Sequence, residues 1–319
     1  MSKYRHALPQ LTDGLFLTDG GIETTLIFNE GLELPHFAAF HLLRSSESEA
    51  ALYKYFRTYA EIAKRFAAGL ILESATWRAN ADWGIRLGYT SEALADANRK
   101  AIQLLENVRN EYATARTQVV ISGCVGPRGD GYVPDSVMSA QEAEAYHREQ
   151  VETFAGSAAD MVCAITMNYV EEAVGIARAA QQADIPVALS FTVETDGRLP
   201  TGQPLKEAIE EVDEATSIYP CYYMINCAHP THFERVLAVG EPWMERIRGL
   251  RANASRMSHA ELNDAPELDT GNPAELGLQY AQLKTCLRRL NVMGGCCGTD
   301  HRHIEQIASA YLSLFPGRT

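Results

Sequence analysis

This 319-residue chain has no excess of positive charge: 28 lysines and arginines stand against 41 aspartates and glutamates, a net charge of −13. That balance excludes a basic nucleic-acid-binding face and electrostatic docking on anionic membranes. Its physical meaning is solubility. No uncharged run is long and apolar enough to span a bilayer, and residues 1–10 lack the apolar core of a secretory signal. Cysteine is sparse and odd in number, at Cys124, Cys163, Cys221, Cys227, Cys286, Cys296 and Cys297. A scattered odd set in a chain of this length is not a disulfide framework. The expectation is a reducing cytoplasm, where clustered thiols point to metal binding or catalysis.

A glycine-rich nucleotide turn is missing too. The first strand-like run is followed by Asp19-Gly20-Gly21-Ile22-Glu23-Thr24, which lacks G-x-G-x-x-G. This weighs against a doubly wound dinucleotide fold. Strand-like runs fall at 15–18, 70–73, 119–121, 161–165, 185–193, 222–225, 247–251 and 290–293. Helix-like runs fall at 47–68, 90–115, 140–158, 170–183, 204–218, 230–239, 273–289 and 301–314. The first helix shows the apolar spacing of an amphipathic face, with Leu52, Tyr55, Phe56, Tyr59, Ile62, Ala63 and Phe66, and Gly69 sits where a helix stop belongs. Stretches 123–135 and 253–270 read as irregular. Strands alternating with helices imply a parallel sheet. About eight such units in this length predict a (β/α)8 TIM barrel, a single α/β domain over residues 1–319.

The sequence is organised around Gly294-Gly295-Cys296-Cys297-Gly298, at a strand-to-helix turn. Neighbouring cysteines bridge each other only with strain, whereas one turn can aim both sulfurs at one metal ion. In a barrel, chemistry sits at the C-terminal strand ends. Those ends carry Asp19, Glu73, Thr76, Gly126, Asn226, Cys227, Cys296 and Cys297. Cys227 closes the sixth strand and the pair closes the eighth, so one rim brings three thiols together. Three thiolates with one open position is a catalytic zinc arrangement. The plainer reading of a Cys-Cys pair is two small buried side chains. A closed structural site would need a fourth ligand, for which His229 is the nearest candidate, with His232 three residues on. Asp19 and Glu73 could act as an acid/base pair. Polar recognition is favoured, because a thiolate–metal site asks less proton transfer of carboxylates.

These residues resemble the zinc-dependent homocysteine S-methyltransferases, including the betaine- and S-methylmethionine-linked enzymes. The most specific match is Gly294-Gly295-Cys296-Cys297-Gly298-Thr299 followed by His303-Ile304; the second is Asn226-Cys227. Asp19-Gly20-Gly21 with Thr24, Glu73 with Thr76 and Asn80, and Gly123 with Val125-Gly126-Pro127 support it. The resemblance implies a (β/α)8 barrel, zinc on Cys227, Cys296 and Cys297, and substrate contacts from Asp19, Glu73, Thr76 and Asn226. It implies methyl transfer from a sulfonium or ammonium donor to a small thiol, homocysteine giving methionine, in a soluble protein compatible with a homo-oligomer.

One departure stands out. The family pattern E-T-x-P-x-x-x-E-A places an acid where this chain has Ile165, before Thr166-Met167-Asn168 and Glu171-Glu172-Ala173. That acid helps hold an amino acid's ammonium group, which isoleucine cannot do. Asn253-Ala254-Ser255 likewise departs from the family's Asn-Ser-Gly. A diverged enzyme acting on another thiol, or a non-catalytic zinc protein, are the alternatives.

Overall fold

The computed structural model describes residues 1–134, 137–237 and 241–315. Eight parallel strands close into one barrel in sequence order. They are β1 Phe16–Leu17, β2 Gly69–Glu73, β3 Val119–Val125 and β4 Met161–Met167. The second half comprises β5 Val187–Thr192, β6 Tyr222–Asn226, β7 Ile247–Ala252 and β8 Val292–Gly295. Closure runs through β1, where Phe16 and Leu17 pair with Val292 and Met293 of β8.

The helices are α1 Ser46–Arg65, α2 Ala81–Arg86, α3 Ser91–Tyr112, α4 Ala140–Ala155 and α5 Val170–Gln182. After them come α6 Leu205–Thr216, α7 Pro230–Phe233, α8 His259–Asp264, α9 Pro273–Cys286 and α10 His301–Leu314. Side-chain oxygens cap several of them: Ser45 accepts from the Ser48 amide, Thr90 from Ala93 and Ser139 from Glu142. Such caps satisfy amides that have no partner within the helix. Among the described residues no helix is long and apolar enough to cross a membrane.

Alternation along each strand divides the apolar residues into two cores. On β4, Val162 and Ala164 join the large core between sheet and helices. Met161, Cys163 and Ile165 point into the barrel, with Leu8, Phe16, Ile71, Val120, Cys124, Tyr222, Met224 and Val292. The barrel is thus filled by side chains, as a parallel barrel of this size must be.

The barrel and its strand order agree with the sequence reading, and several boundaries do not. Residues 123–125 belong to β3 rather than to the following loop. The stretch 253–270 contains α8, and α2 was not expected. The helix expected over 230–239 is the single turn α7 followed by a 3-10 turn, Glu234–Val236, and its last residues lie outside the described ones.

Gly294 lies where β8 meets β1. A Cβ there would overlap Thr18 Oγ1 and stand 2.8 Å from the Asp19 carbonyl. We predict that Gly294→Ala lowers unfolding free energy by about 1–3 kcal/mol, the usual cost of overpacking. Urea unfolding measures it, and an unchanged midpoint would show that closure is not this tight.

Candidate metal and substrate site

The C-terminal strand ends open onto a cavity of about 450 Å³. Its wall includes Asp19, Glu73, Cys124, Ile165, Thr166, Cys227, Arg251, Asn253, Cys296 and Cys297, with Glu23, Trp77 and Tyr132 from the loops. Residues from β2, β3, β4 and β7, and from just beyond the ends of β1, β6 and β8, therefore meet in one space.

The sulfurs of Cys227, Cys296 and Cys297 lie within 4.8 Å of one another. β7 sets this spacing, since it separates β6 from β8 in the sheet. Asn226 pairs with Arg251, and Arg251 with Gly294. The Cys227 amide donates to the Arg251 carbonyl at 3.1 Å, and the Cys296 amide to the Ala252 carbonyl at 2.8 Å. The Cys297 amide donates to Asn253 Oδ1 at 3.0 Å. Each thiol-bearing residue is thus tied to the same strand or to the residue that follows it. Three soft sulfur donors so placed fit zinc. Among the described residues no histidine, aspartate or glutamate joins the cluster. His229 caps α7 by accepting from the Thr231 amide, and His232 Nε2 lies 2.9 Å from the Arg256 carbonyl.

Contrary to the expectation of free thiols, the structure joins Cys227 and Cys296 as a disulfide, with Cα atoms 5.4 Å apart. A disulfide and a metal held by all three sulfurs are alternative states of the same cluster. The first requires oxidation of the pair, and the second requires three thiolates.

Two backbone positions beside the cluster are sterically unusual. Thr166 has φ +67° and Cys227 has φ +52°, a region costly for residues bearing a Cβ. Asn226 holds Thr166 in place. Its Oδ1 accepts from the Thr166 amide at 3.0 Å and its Nδ2 donates to Thr166 Oγ1 at 2.9 Å. Ser190 Oγ on β5 donates to the same Oδ1 at 2.6 Å. Asn226 was expected to contact substrate; its polar atoms are instead committed to this clamp. Thr76 was expected there as well. It is fully buried, and its hydroxyl donates to the Cys124 carbonyl at 2.7 Å. Neither Thr76 nor Asn226 lines the cavity.

Asp19 does line the cavity, but both its oxygens are engaged. Oδ1 accepts from Arg251 Nη2 at 2.5 Å and Oδ2 accepts from the Tyr55 hydroxyl at 2.9 Å. Arg251 also donates through Nε to the Gly295 carbonyl at 3.2 Å, bracing the end of β8. Glu73 is the contrasting carboxyl, since its Oε2 is buried without a hydrogen-bond partner. Burial pushes its pKa up to about 7, partly offset by Arg251 and by Ser122 and Cys163 beside it. Burial raises Glu23 to about 7 as well.

Sequence reasoning did not single out Arg251, Tyr132 or His259. The Tyr132 hydroxyl donates to Cys227 Sγ at 3.4 Å and stands 3.8 Å from Cys297 Sγ. His259 packs against the Tyr132 ring at a 41° tilt with centroids 4.3 Å apart, and its Nε2 lies 2.5 Å from the Cys227 carbonyl. The signal for His259 was present: Ser258 and Glu261 form a capping box that marks the start of α8.

A carboxyl whose folded pKa lies above its unfolded value binds its proton more tightly when folded. Its burial therefore costs least below the unfolded pKa, and stability is lost as pH rises toward the folded pKa near 7. Arg251, Asp19 and the thiols of Cys124 and Cys163 surround Glu73. We predict that Glu73→Gln, relative to the native chain, gains about 1–3 kcal/mol more at about pH 8 than at about pH 5. Urea unfolding at both pH values tests this, and an equal difference at the two would refute the buried-acid assignment.

Comparison with known proteins agrees with the geometry. The homocysteine S-methyltransferase family profile matches residues 16–311. Homocysteine S-methyltransferase YbgG of Bacillus subtilis is 25% identical over 251 residues, covering 71% of this chain and 76% of that protein. Homocysteine S-methyltransferase 2 of Arabidopsis thaliana is 22% identical, covering 93% and 92%. The oxidised form of the homocysteine methyltransferase MmuM from Escherichia coli superposes with a TM-score of 0.70 at 18% identity, covering 96% of this chain and 99% of that one. A metallated form of the same protein superposes at 0.68. The profile match runs from the first residue of β1 to within the last turn of α10, and on that extent the chain belongs to the homocysteine S-methyltransferase family.

Proposed function

We propose that this protein is a zinc-dependent S-methyltransferase that moves a methyl group from a sulfonium or ammonium donor to a small thiol, homocysteine giving methionine. The observation that carries the reading is the cluster of Cys227, Cys296 and Cys297 sulfurs, within 4.8 Å of each other on the wall of the strand-end cavity. Cytoplasmic reducing conditions would keep these thiols available.

A free alkyl thiol has a pKa of about 8.5, so little of it is nucleophilic at neutral pH. Cys227, Cys296 and Cys297 would hold zinc, which when bound would supply the missing acidity, because a coordinating thiol loses its proton. The acceptor sulfur then attacks the donor's methyl carbon. A carbon–sulfur bond forms as the donor's carbon–sulfur or carbon–nitrogen bond breaks, and the bonding pair leaves with the donor as a neutral sulfide or tertiary amine. The thiol proton passes to solvent.

The chain's own residues prepare this encounter. Tyr132 donates to Cys227 Sγ, a hydrogen bond that moderates charge on the ligand sulfur. Trp77, Tyr132, Phe28 and Phe37 give the cavity aromatic surface beside Glu23, which suits a cationic donor. Trp77 is fixed by the 3.2 Å hydrogen bond that its Nε1 donates to the Ile165 carbonyl. Ile165 itself lines the cavity, and this apolar wall supports a second reading, in which the acceptor is another small thiol.

The purified protein should contain about one zinc per chain, and Cys296→Ala should lose most of it by elemental analysis. A screen of sulfonium and quaternary ammonium donors against homocysteine and other small thiols should give transfer that falls with the zinc. Full zinc retention in Cys296→Ala would overturn the ligand assignment, and absence of transfer from every donor would overturn the activity.

A further inference from the structure

His303 follows the thiol turn by six residues, yet it does not line the cavity. Its side chain is fully buried in the first turn of α10. A buried imidazole needs partners for its ring nitrogens. Nδ1 stands 3.0 Å from the Asp300 amide and 3.0 Å from Asp300 Oδ1, which completes the capping box of α10. Nε2 lies 2.8 Å from the Thr270 carbonyl. A carbonyl oxygen only accepts, so Nε2 carries a proton and donates it to this bond.

Thr270 belongs to a strap, residues 265–271, that joins α8 to α9. Ala265, Pro266, Glu267, Leu268 and Asp269 of the strap line the cavity. The strap has no helix or strand of its own, so no backbone ladder fixes its place. Close packing holds it against the thiol turn. A Cβ on Gly298, next to Cys297, would stand 2.6 Å from the Asp269 carbonyl, and Gly298 has φ +77°, a conformation glycine adopts readily. A Cβ on Gly271 would overlap the Ala254 carbonyl. The Ala254 amide in turn donates to the Cys297 carbonyl at 3.0 Å. The His303 bond adds a directional link between the strap's backbone and the helix that follows the thiols.

We infer that His303 is a positioning residue, which through the Thr270 carbonyl pins the 265–271 strap against the Cys296-Cys297-Gly298 turn and so fixes one wall of the cavity. The consequence for turnover rests on the proposed methyl transfer. His303 touches no substrate and takes no part in bond making. A wall already in place need not be ordered when substrate binds. Loss of the pin therefore weakens binding in the ground state and the transition state alike, which raises KM and spares kcat.

Two neutral substitutions separate the pin from the helix cap. Asparagine reaches only as far as Nδ1, so His303→Asn keeps an acceptor beside the Asp300 amide and loses the bond to Thr270. Glutamine reaches as far as Nε2, so His303→Gln keeps the donor. Amide hydrogen exchange on the zinc-loaded full chain reads the strap and α10 separately. His303→Asn should speed exchange across the strap roughly tenfold, the scale of one buried hydrogen bond, with less change in α10. His303→Gln should stay near the native rate. In His303→Asn, KM for at least one substrate should rise severalfold while kcat and zinc content hold. Gly271→Ala pushes the strap off Ala254 from its other side, and it should loosen the strap and raise KM with α10 untouched. Native exchange in the strap of His303→Asn, or an equal rise in His303→Gln, overturns the pin. A loosened strap in either His303→Asn or Gly271→Ala with both KM values unchanged overturns the positioning role, and Gly271→Ala decides this should His303→Asn fail to fold. Absence of transfer by the native protein would sink the methyl-transfer reading, and the exchange pattern would still decide whether His303 holds the wall.

Discussion

Closure of the parallel sheet between β1 and β8 is the constraint on which the site depends. The seam is short, only Phe16 and Leu17 against Val292 and Met293. It leaves no room for side chains just beyond, where Gly294 packs against Thr18 and Asp19. With the seam closed, Asp19 at the end of β1 reaches Arg251 on β7 and joins the wall of the cavity that holds the cysteines. Across β7, Cys296 and Cys297 meet Cys227, although 69 residues separate Cys227 from Cys296. An open sheet of the same strands would keep the sulfurs together across β7 but would part Arg251 from Asp19.

Inside the closed sheet, a charged network replaces apolar packing at the C-terminal end. Arg251 ties β7 to β8 and β1 through Gly295, Gly20 and Asp19. Removing one partner of such a buried pair typically costs about 3–5 kcal/mol, because the other charge is left unpaired. The pair gives the cavity a fixed polar rim. It also engages Asp19, the first-strand acid expected from sequence to meet the substrate. Glu73, held near neutrality by burial, is the carboxyl with an oxygen to spare. The polar recognition expected of both acids thus divides, with one bracing the barrel and the other facing the cavity.

Much of this was legible in the sequence, because it depends on local pattern. Alternating apolar runs and amphipathic helices announced the barrel, and glycines around Cys296-Cys297 announced a tight strand-to-helix turn. The less visible parts are those made by distant pairing. Arg251 reads as an interruption that weakens β7, until Asp19, 232 residues away, is seen to neutralise it. Thr76 and Asn226 read as free polar groups at strand ends, since their partners Cys124, Thr166 and Ser190 come from other strands. The six-residue helices α2 and α8 are too short for periodicity to declare them.

The account's central claim is a three-thiolate zinc centre with a position left for the acceptor's sulfur. Zinc-edge X-ray absorption on the reduced, zinc-loaded protein, before and after addition of homocysteine, tests it most directly. The account predicts three sulfur neighbours from Cys227, Cys296 and Cys297, rising by one when homocysteine is added. A spectrum that already shows a complete set of protein ligands, and does not change with the thiol, would contradict it.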